Sequence, residues 1–225
     1  LREVFAYNLY VKHTYDMSRA QGVPVDSLPL PSANVAAHAL DTRQSLVDAG
    51  RHLFVSKGYF NTGTEEIVRE AGVTRGALYH HFGSKKALFL EVFNAIQIGL
   101  TSAAAPLKES DDAFVRLEAG LLGFLDASTT PEIQQVILID GPAVLGWPLW
   151  RELEASYGLG SIQLLLSNAI AQGTLREQPL DVLSHILLAA VDEAALFIAN
   201  SEHPLVARES SVAAMRSLLS GLIRP

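Results

Sequence analysis

Apolar residues recur every three to four positions along most of the chain, and no stretch alternates with period two over a useful length. That spacing predicts helices throughout and no sheet. The first clear helix runs from a cap at Asp41 or Thr42 to about Lys57. Leu46, Ala49, Gly50, Leu53 and Phe54 lie on one face of it, and Gly58 ends it. Two short helices follow, the first from Thr62 or Gly63 to Ala71 and the second from Arg75 to about His81. A long one begins at Ser84 and carries Leu88, Phe89, Val92, Phe93, Ile96 and Leu100 towards Pro106. Beyond it, Ser110 or Asp111 starts a helix to about Ala127. Thr130-Pro131 caps one to about Ile139, which Asp140-Gly141-Pro142 breaks or kinks. Trp147-Pro148 opens a long helix stopped at Gly173, Pro179 opens another to about Asn200, and the last runs from about Pro204 to Leu222. The expected fold class is all-α.

The two short helices carry the chemistry. Thr62 and Glu65 have the spacing of a capping box, and Glu65 and Glu66 suit the positive end of a helix dipole. Ile67 and Ala71 give the first helix an apolar side, Gly72 supplies the positive φ that ends it, and Val73 plugs the turn. Thr74 is a good N-cap for the second helix. Two helices joined by a short glycine turn are the signature of a helix-turn-helix. The second helix opens with Arg75-Gly76-Ala77, two small side chains beside one long cation. Such a turn lets the backbone approach a surface, and an arginine there reaches a guanine edge in the major groove. Leu78 faces inward, Tyr79 and His80 outward, and Lys85 and Lys86 follow Gly83. No acidic residue lies between Glu70 and Glu91, so phosphate contacts would meet unopposed positive charge.

Over roughly Thr42 to Phe93 the chain resembles the DNA-binding domain of TetR-type transcriptional regulators. Four features keep their relative spacing: Lys57-Gly58-Tyr59, Ala71-Gly72-Val73, the run Leu78-Tyr79-His80-His81-Phe82, and Ser84-Lys85. Val68 stands where the family usually has alanine, and Lys86 where it often has an acid. The resemblance implies a helix-turn-helix DNA-binding domain over residues 41–88 and a helical ligand-binding and dimerisation domain over residues 89–225. It further implies a homodimeric regulator of transcription, commonly a repressor, that a small-molecule effector releases from double-stranded DNA. The residues expected to face DNA are Thr62, Thr64, Thr74, Arg75, Gly76, Ala77, Tyr79, His80, Lys85 and Lys86. Two reading helices related by a twofold axis call for a palindromic operator, with half-sites about one helical turn (~34–36 Å) apart.

Residues 1–40 read as an N-terminal extension, partly linker. LREVFAYNLYVKHTYDMSRA suits a short amphipathic helix, and GVPVDSLPLPSANVA reads as extended and proline-broken. The segment lacks the basic start, apolar core and cleavage site of a signal peptide. It is read as a poorly ordered or loosely docked extension, the alternative being an arm that touches DNA or the partner subunit, and its neutral charge argues against a DNA arm.

Net charge is −7 over 225 residues, which is unexpected for a nucleic-acid binder until it is divided. Residues 1–40 hold three basic and three acidic groups, residues 41–100 seven and six, and residues 101–225 seven and fifteen. The acidity therefore sits in the C-terminal part, where it would keep DNA off the wrong face. Cysteine is absent, which rules out disulfides and thiolate metal sites and fits a reducing cytoplasm. No apolar run is read as approaching the ~20 residues of a membrane span, so no membrane partner is expected.

The last two helices carry more apolar surface than one buried stripe requires. Leu183, Leu187, Val191, Ala194, Ala214 and Leu218 are expected to pack against their symmetry mates, the competing possibility being a larger monomeric core. Phe124, Ile137, Trp147, Trp150, Tyr157 and Phe197 are candidate walls of a pocket for a small apolar or aromatic effector, against ordinary core. No cofactor or metal is expected: His80 and His81 are adjacent on a helix, about 100° apart, and share an ion poorly. The chain has no G-x-S-x-G, H-E-x-x-H, phosphate loop or dinucleotide fingerprint, so it is not read as an enzyme. The remaining rival is a helical protein-interaction adaptor without effector control, which predicts no salt-dependent affinity for DNA.

Overall fold

A computed structural model of the chain describes residues 33–103 and 112–224, with side chains over residues 39–100 and 112–224. The readings made on residues 1–32 lie outside the described residues. Among the described residues ten helices follow in order: α1 (Ala33–Lys57), α2 (Thr64–Glu70), α3 (Arg75–Phe82), α4 (Lys85–Ala103), α5 (Ala113–Ala127), α6 (Ile133–Asp140), α7 (Gly141–Leu145), α8 (Trp147–Ala171), α9 (Leu180–Ala199) and α10 (Pro204–Ser220). Among the described residues no strand forms; an isolated bridge joins Leu175 to Ile223. The fold is all-α, as the periodicity predicts.

One boundary differs by a whole segment. The first helix begins at Ala33, not at Asp41 or Thr42, so the end of the expected linker is helical. The alanine-rich stretch Ala33-Asn34-Val35-Ala36-Ala37-His38-Ala39-Leu40 favours helix, and the nearest proline, Pro31, lies upstream where it interrupts nothing.

Helices α1 to α3 and the start of α4 close around Leu46, Phe54, Ile67, Leu78, Leu88 and Phe89, all fully buried. The same core continues along α4 through Val92, Phe93 and Ile96 into the C-terminal helices. There α5, α8, α9 and α10 pack on one another. Helix α4 thus belongs to both halves.

Asp140-Gly141-Pro142 does not break the chain; it changes the type of helix. Residues Ile133–Asp140 form π-helical turns, and α7 follows directly. In a five-residue register the carbonyl of Ile137 would look to the amide of residue 142, which is proline and has none. The Trp150 indole N–H fills that position, donating to the Ile137 carbonyl at 2.9 Å. Gly141 is required at this crossing, because a Cβ there would lie 2.9 Å from Trp150 and 3.1 Å from Phe93.

Helix α9 corrects the reading that no apolar run is long enough to span a bilayer. Its 20 residues pass that test by length and composition, with a mean hydropathy of 1.9. In this fold it is a core helix: Leu187, Val191, Ala195 and Ile198 are buried. Asp192, on the same stripe, accepts a 2.8 Å ion-pair bond from Arg151.

Candidate nucleic-acid interface and the cavity behind it

The turn between α2 and α3 is built by Gly72, at φ +67°, which lets the Val73 amide donate back to the Val68 carbonyl at 3.0 Å. Thr74 caps α3, its hydroxyl oxygen accepting from the Ala77 amide at 3.2 Å. Leu78 is the buried anchor of this helix. With that residue turned inward, Arg75, Gly76, Tyr79 and His80 face outward. Tyr79 is 41% exposed, and Gly76 leaves the first turn without a side chain between backbone and solvent.

Arg75 is held in place. Its Nη1 donates to Glu65 Oε1 at 3.0 Å, and its guanidinium lies 5.5 Å from the centre of the Tyr79 ring. The window that is free of acids along the chain is therefore not free of them in space. Both partners of the pair are more than half exposed, so the bond is worth little and a stronger acceptor can replace it.

Behind the helix-turn-helix, three elements meet at Tyr59. Lys85 Nζ donates to the Tyr59 carbonyl at 2.9 Å and the Thr62 carbonyl at 2.8 Å, and lies 4.0 Å from the centre of the Tyr59 ring. Burial pulls the Lys85 ammonium below its ordinary pKa, with the Asp140 carboxylate working the other way. Asp140 itself accepts from the Tyr59 amide at 2.7 Å. Nearby, Arg51 forms a two-pronged bond with Glu132, Nη2 to Oε2 at 2.9 Å and Nε to Oε1.

A cavity of about 530 Å³ lies among α4, α5, α8 and α9. Its walls are chiefly apolar: Leu100, Leu117, Leu121, Phe124, Ile162, Leu165, Leu188 and Val191. Glu154 and Asp192 also line it, 5% and 1% exposed. Burial, and then the negative charge of Asp192, push the Glu154 carboxyl up to about 8, against the pull of Arg151 and of the hydrogen bond from Gln97. Burial pushes Asp192 up to about 6, with Arg151 opposing.

The opposite side of the last two helices is exposed and apolar. Val182, Ile186 and Phe197 on α9 and Leu205, Val206 and Leu218 on α10 each leave more than half their surface uncovered.

Comparison with known proteins decides what this arrangement is. Residues 46–92 match the model of bacterial regulatory proteins of the tetR family. Residues 114–222 match the tetracyclin repressor-like C-terminal domain. A TetR-family transcriptional regulator from Pectobacterium atrosepticum has a solved structure 31% identical in sequence, covering 84% of this chain and 97% of that one, at a TM-score of 0.75. The chain belongs to the TetR family. It is 34% identical over 148 residues to the HTH-type transcriptional regulator SrpR of Pseudomonas putida, covering 62% of this chain and 66% of SrpR. RolR, solved in complex with resorcinol, shares the fold at a TM-score of 0.65 and 17% identity, covering 83% of this chain and 90% of that one. As a TetR-family member the chain is a DNA-binding regulator of transcription and not an enzyme.

Against this TetR-family frame, the residues expected at DNA divide. Thr74, Arg75, Gly76, Tyr79, His80 and Lys86 are exposed, and Thr64 and Ala77 are partly so. Thr62 is not available: it is 2% exposed and its hydroxyl donates to the carbonyls of Gly58 and Leu53, at 2.8 and 3.3 Å. The capping box is absent too, since α2 starts at Thr64 with Gly63 as its cap and no side-chain cap bond. Lys85 also departs from expectation, its ammonium being spent on carbonyls inside the domain.

The expected pocket walls fare worse. Phe124 and Tyr157 line the cavity, but Ile137 and Trp150 are fully buried around the π-helical segment and do not. Trp147 and Phe197 are on the surface, 48% and 60% exposed. Of the residues assigned to subunit pairing, Leu187 and Val191 are buried within the chain's own core, and Val191 faces the cavity. Leu183 and Ala194 are half-buried, whereas Ala214 and Leu218 are exposed. Glu154 and Asp192 were missed. The signal for both is an acid on an apolar stripe: Asp192 four residues after Leu188 and Glu154 four after Trp150.

Proposed function

We propose that the chain is a homodimeric transcriptional repressor whose two α3 helices read a palindromic operator and whose cavity takes the effector that releases it. The observation that carries this reading is the outer face of α3, where Arg75, Gly76 and Tyr79 stand over the buried Leu78 on a capped helix. A backbone without a side chain at Gly76 can approach a groove closely, and Arg75 can exchange the Glu65 carboxylate for a base edge. Lys86 and His80 flank that face and serve as phosphate contacts.

The uncovered apolar residues of α9 and α10 support pairing of two copies through these helices, with Val182, Ile186, Leu205, Val206 and Leu218 replacing Leu187 and Val191 in the interface. Effector control is supported by the path of α4. It starts at Lys85 beside α3 and supplies Gln97 and Leu100 to the cavity wall. A ligand that prefers one position of α4 shifts the spacing of the paired reading helices. That RolR, a protein of this fold, holds resorcinol is in keeping with a cavity that binds small molecules.

Selection from random duplexes followed by sequencing tests the proposal. An inverted repeat is expected, bound with a steep loss of affinity as salt rises. Salt-independent binding without enrichment of any sequence would favour the adaptor instead.

A further inference from the structure

The cavity has a chemical bias that its apolar walls conceal. Among the described residues lining it, Asp126, Glu154 and Asp192 are acidic and none is basic. Asp126, at the α5 side, accepts from Arg208 Nε at 2.7 Å. The other two lie deeper and are only half satisfied. Glu154 Oε1 accepts from Gln97, and Asp192 Oδ2 accepts from Arg151 at 2.8 Å. Neither Glu154 Oε2 nor Asp192 Oδ1 has a hydrogen bond to any described residue, yet no sealed side-chain oxygen among the described residues lacks a partner. Both residues line the cavity. One comes from α8 and one from α9, and the aromatic rings of Phe124 and Tyr157 line the same space.

We propose that this cavity selects a monocation with an apolar body, an amine or quaternary ammonium whose charged head sits between Glu154 Oε2 and Asp192 Oδ1. The inference rests on the cavity being the effector site and names the class of effector. An ammonium supplies the charge that two buried carboxyls facing one space lack, and aromatic walls favour a cation further. A carboxylate ligand would instead add a third negative charge beside them, with Arg151 already committed to Asp192. The groups facing Glu154 are Asp192 from α9, Gln97 from α4, and Arg151 and the Tyr157 phenol from its own helix. In the empty cavity at neutral pH Glu154 holds its proton; the arriving ammonium displaces that proton to solvent and pairs with the carboxylate left behind.

The test uses three probes with one tail: 4-phenylbutylamine, 4-phenylbutanol and 4-phenylbutyrate, titrated calorimetrically into the full chain at pH 7. The amine is expected to bind at least tenfold more tightly than the other two. Repeating the titration in buffers of different ionisation enthalpy should show close to one proton released per amine bound. Glu154→Gln keeps an acceptor for Gln97, and it should abolish both the amine preference over the alcohol and the proton release. Equal or tighter binding of the alcohol or the carboxylate to the wild-type chain overturns the proposal and leaves the cavity as a binding site. Failure of all three to bind overturns both.

Discussion

The backbone amide of Tyr59 donates a 2.7 Å hydrogen bond to Oδ2 of Asp140. It ties the loop after α1 to the last π-helical residue before α7, and so the DNA-facing half to the cavity-bearing half. On the far side of the same segment, the carbonyl of Ile137 receives the Trp150 indole, and the next residue, Arg151, pairs with Asp192 in the cavity wall. A short series of bonds thus connects cavity to helix-turn-helix without passing along α4.

Asp140→Ala removes the acceptor of the Tyr59 amide and is expected to cost about 1–3 kcal/mol in denaturant unfolding, the range for an unpaired buried donor. Asp140→Asn, which retains an oxygen, should recover most of that. If these bonds carry the effector's influence, Asp140→Ala also narrows the difference in operator affinity with and without effector, while effector affinity itself holds. An unchanged difference would leave α4 as the route.

Stability should fall as pH rises through the neutral range. Glu154 titrates near its ordinary 4.5 when unfolded and at about 8 when folded. Between those values the folded chain holds a proton that the unfolded chain has released. The folded state therefore loses stability as pH climbs from about 5 to about 8, by up to about 1.4 kcal/mol per pH unit for one group, and levels off above. Asp192, raised from 3.8 to about 6, adds the same sign at the lower end. Glu154→Gln should flatten the upper part of the profile in unfolding curves recorded at pH 5, 6.5 and 8. A profile that rises over this window contradicts the assignment.

Helix α3 was legible because each of its parts is local. Gly72, Thr74 and Leu78 act on neighbours within a few residues, and their spacing alone places them. Helices α8, α9 and α10 were legible for the same reason, each opened or preceded by a proline. What periodicity could not supply was the partner across space. Thr62 has the spacing of a cap but turns back to the Gly58 carbonyl, and Lys85 looks solvated until the Tyr59 and Thr62 carbonyls are brought beside it. Large aromatics are a poor guide to a cavity, since Trp150 is fully buried away from it and Phe197 lies outside.

Two adjacent lysines are expected to separate by assay. Lys85→Ala leaves the Thr62 carbonyl without its donor and the Tyr59 carbonyl with only the Thr62 amide, and should destabilise the chain by about 1–3 kcal/mol. Lys86→Ala should leave the unfolding curve in place but lower the slope of log affinity against log salt by about 1. The reverse pattern would mean that the two side chains have been assigned to the wrong tasks.

Ile186→Asp combined with Leu218→Asp places two charges on the uncovered face of α9 and α10. Both positions are more than half exposed, so helical content and ligand binding should persist. Sedimentation is expected to show dimer for the wild-type chain and monomer for the variant, and affinity for an inverted repeat should drop to that for a single half-site. A variant that sediments as a dimer would place the interface elsewhere.

The most direct measurement is the affinity of Arg75→Ala for the selected operator and for the same operator with each base pair substituted in turn. The variant should bind about 1–3 kcal/mol more weakly per contact and become indifferent to one position in each half-site, while the wild-type chain discriminates there. Unchanged affinity together with an unchanged pattern of preference would contradict the assignment of α3 as the helix that reads DNA through Arg75.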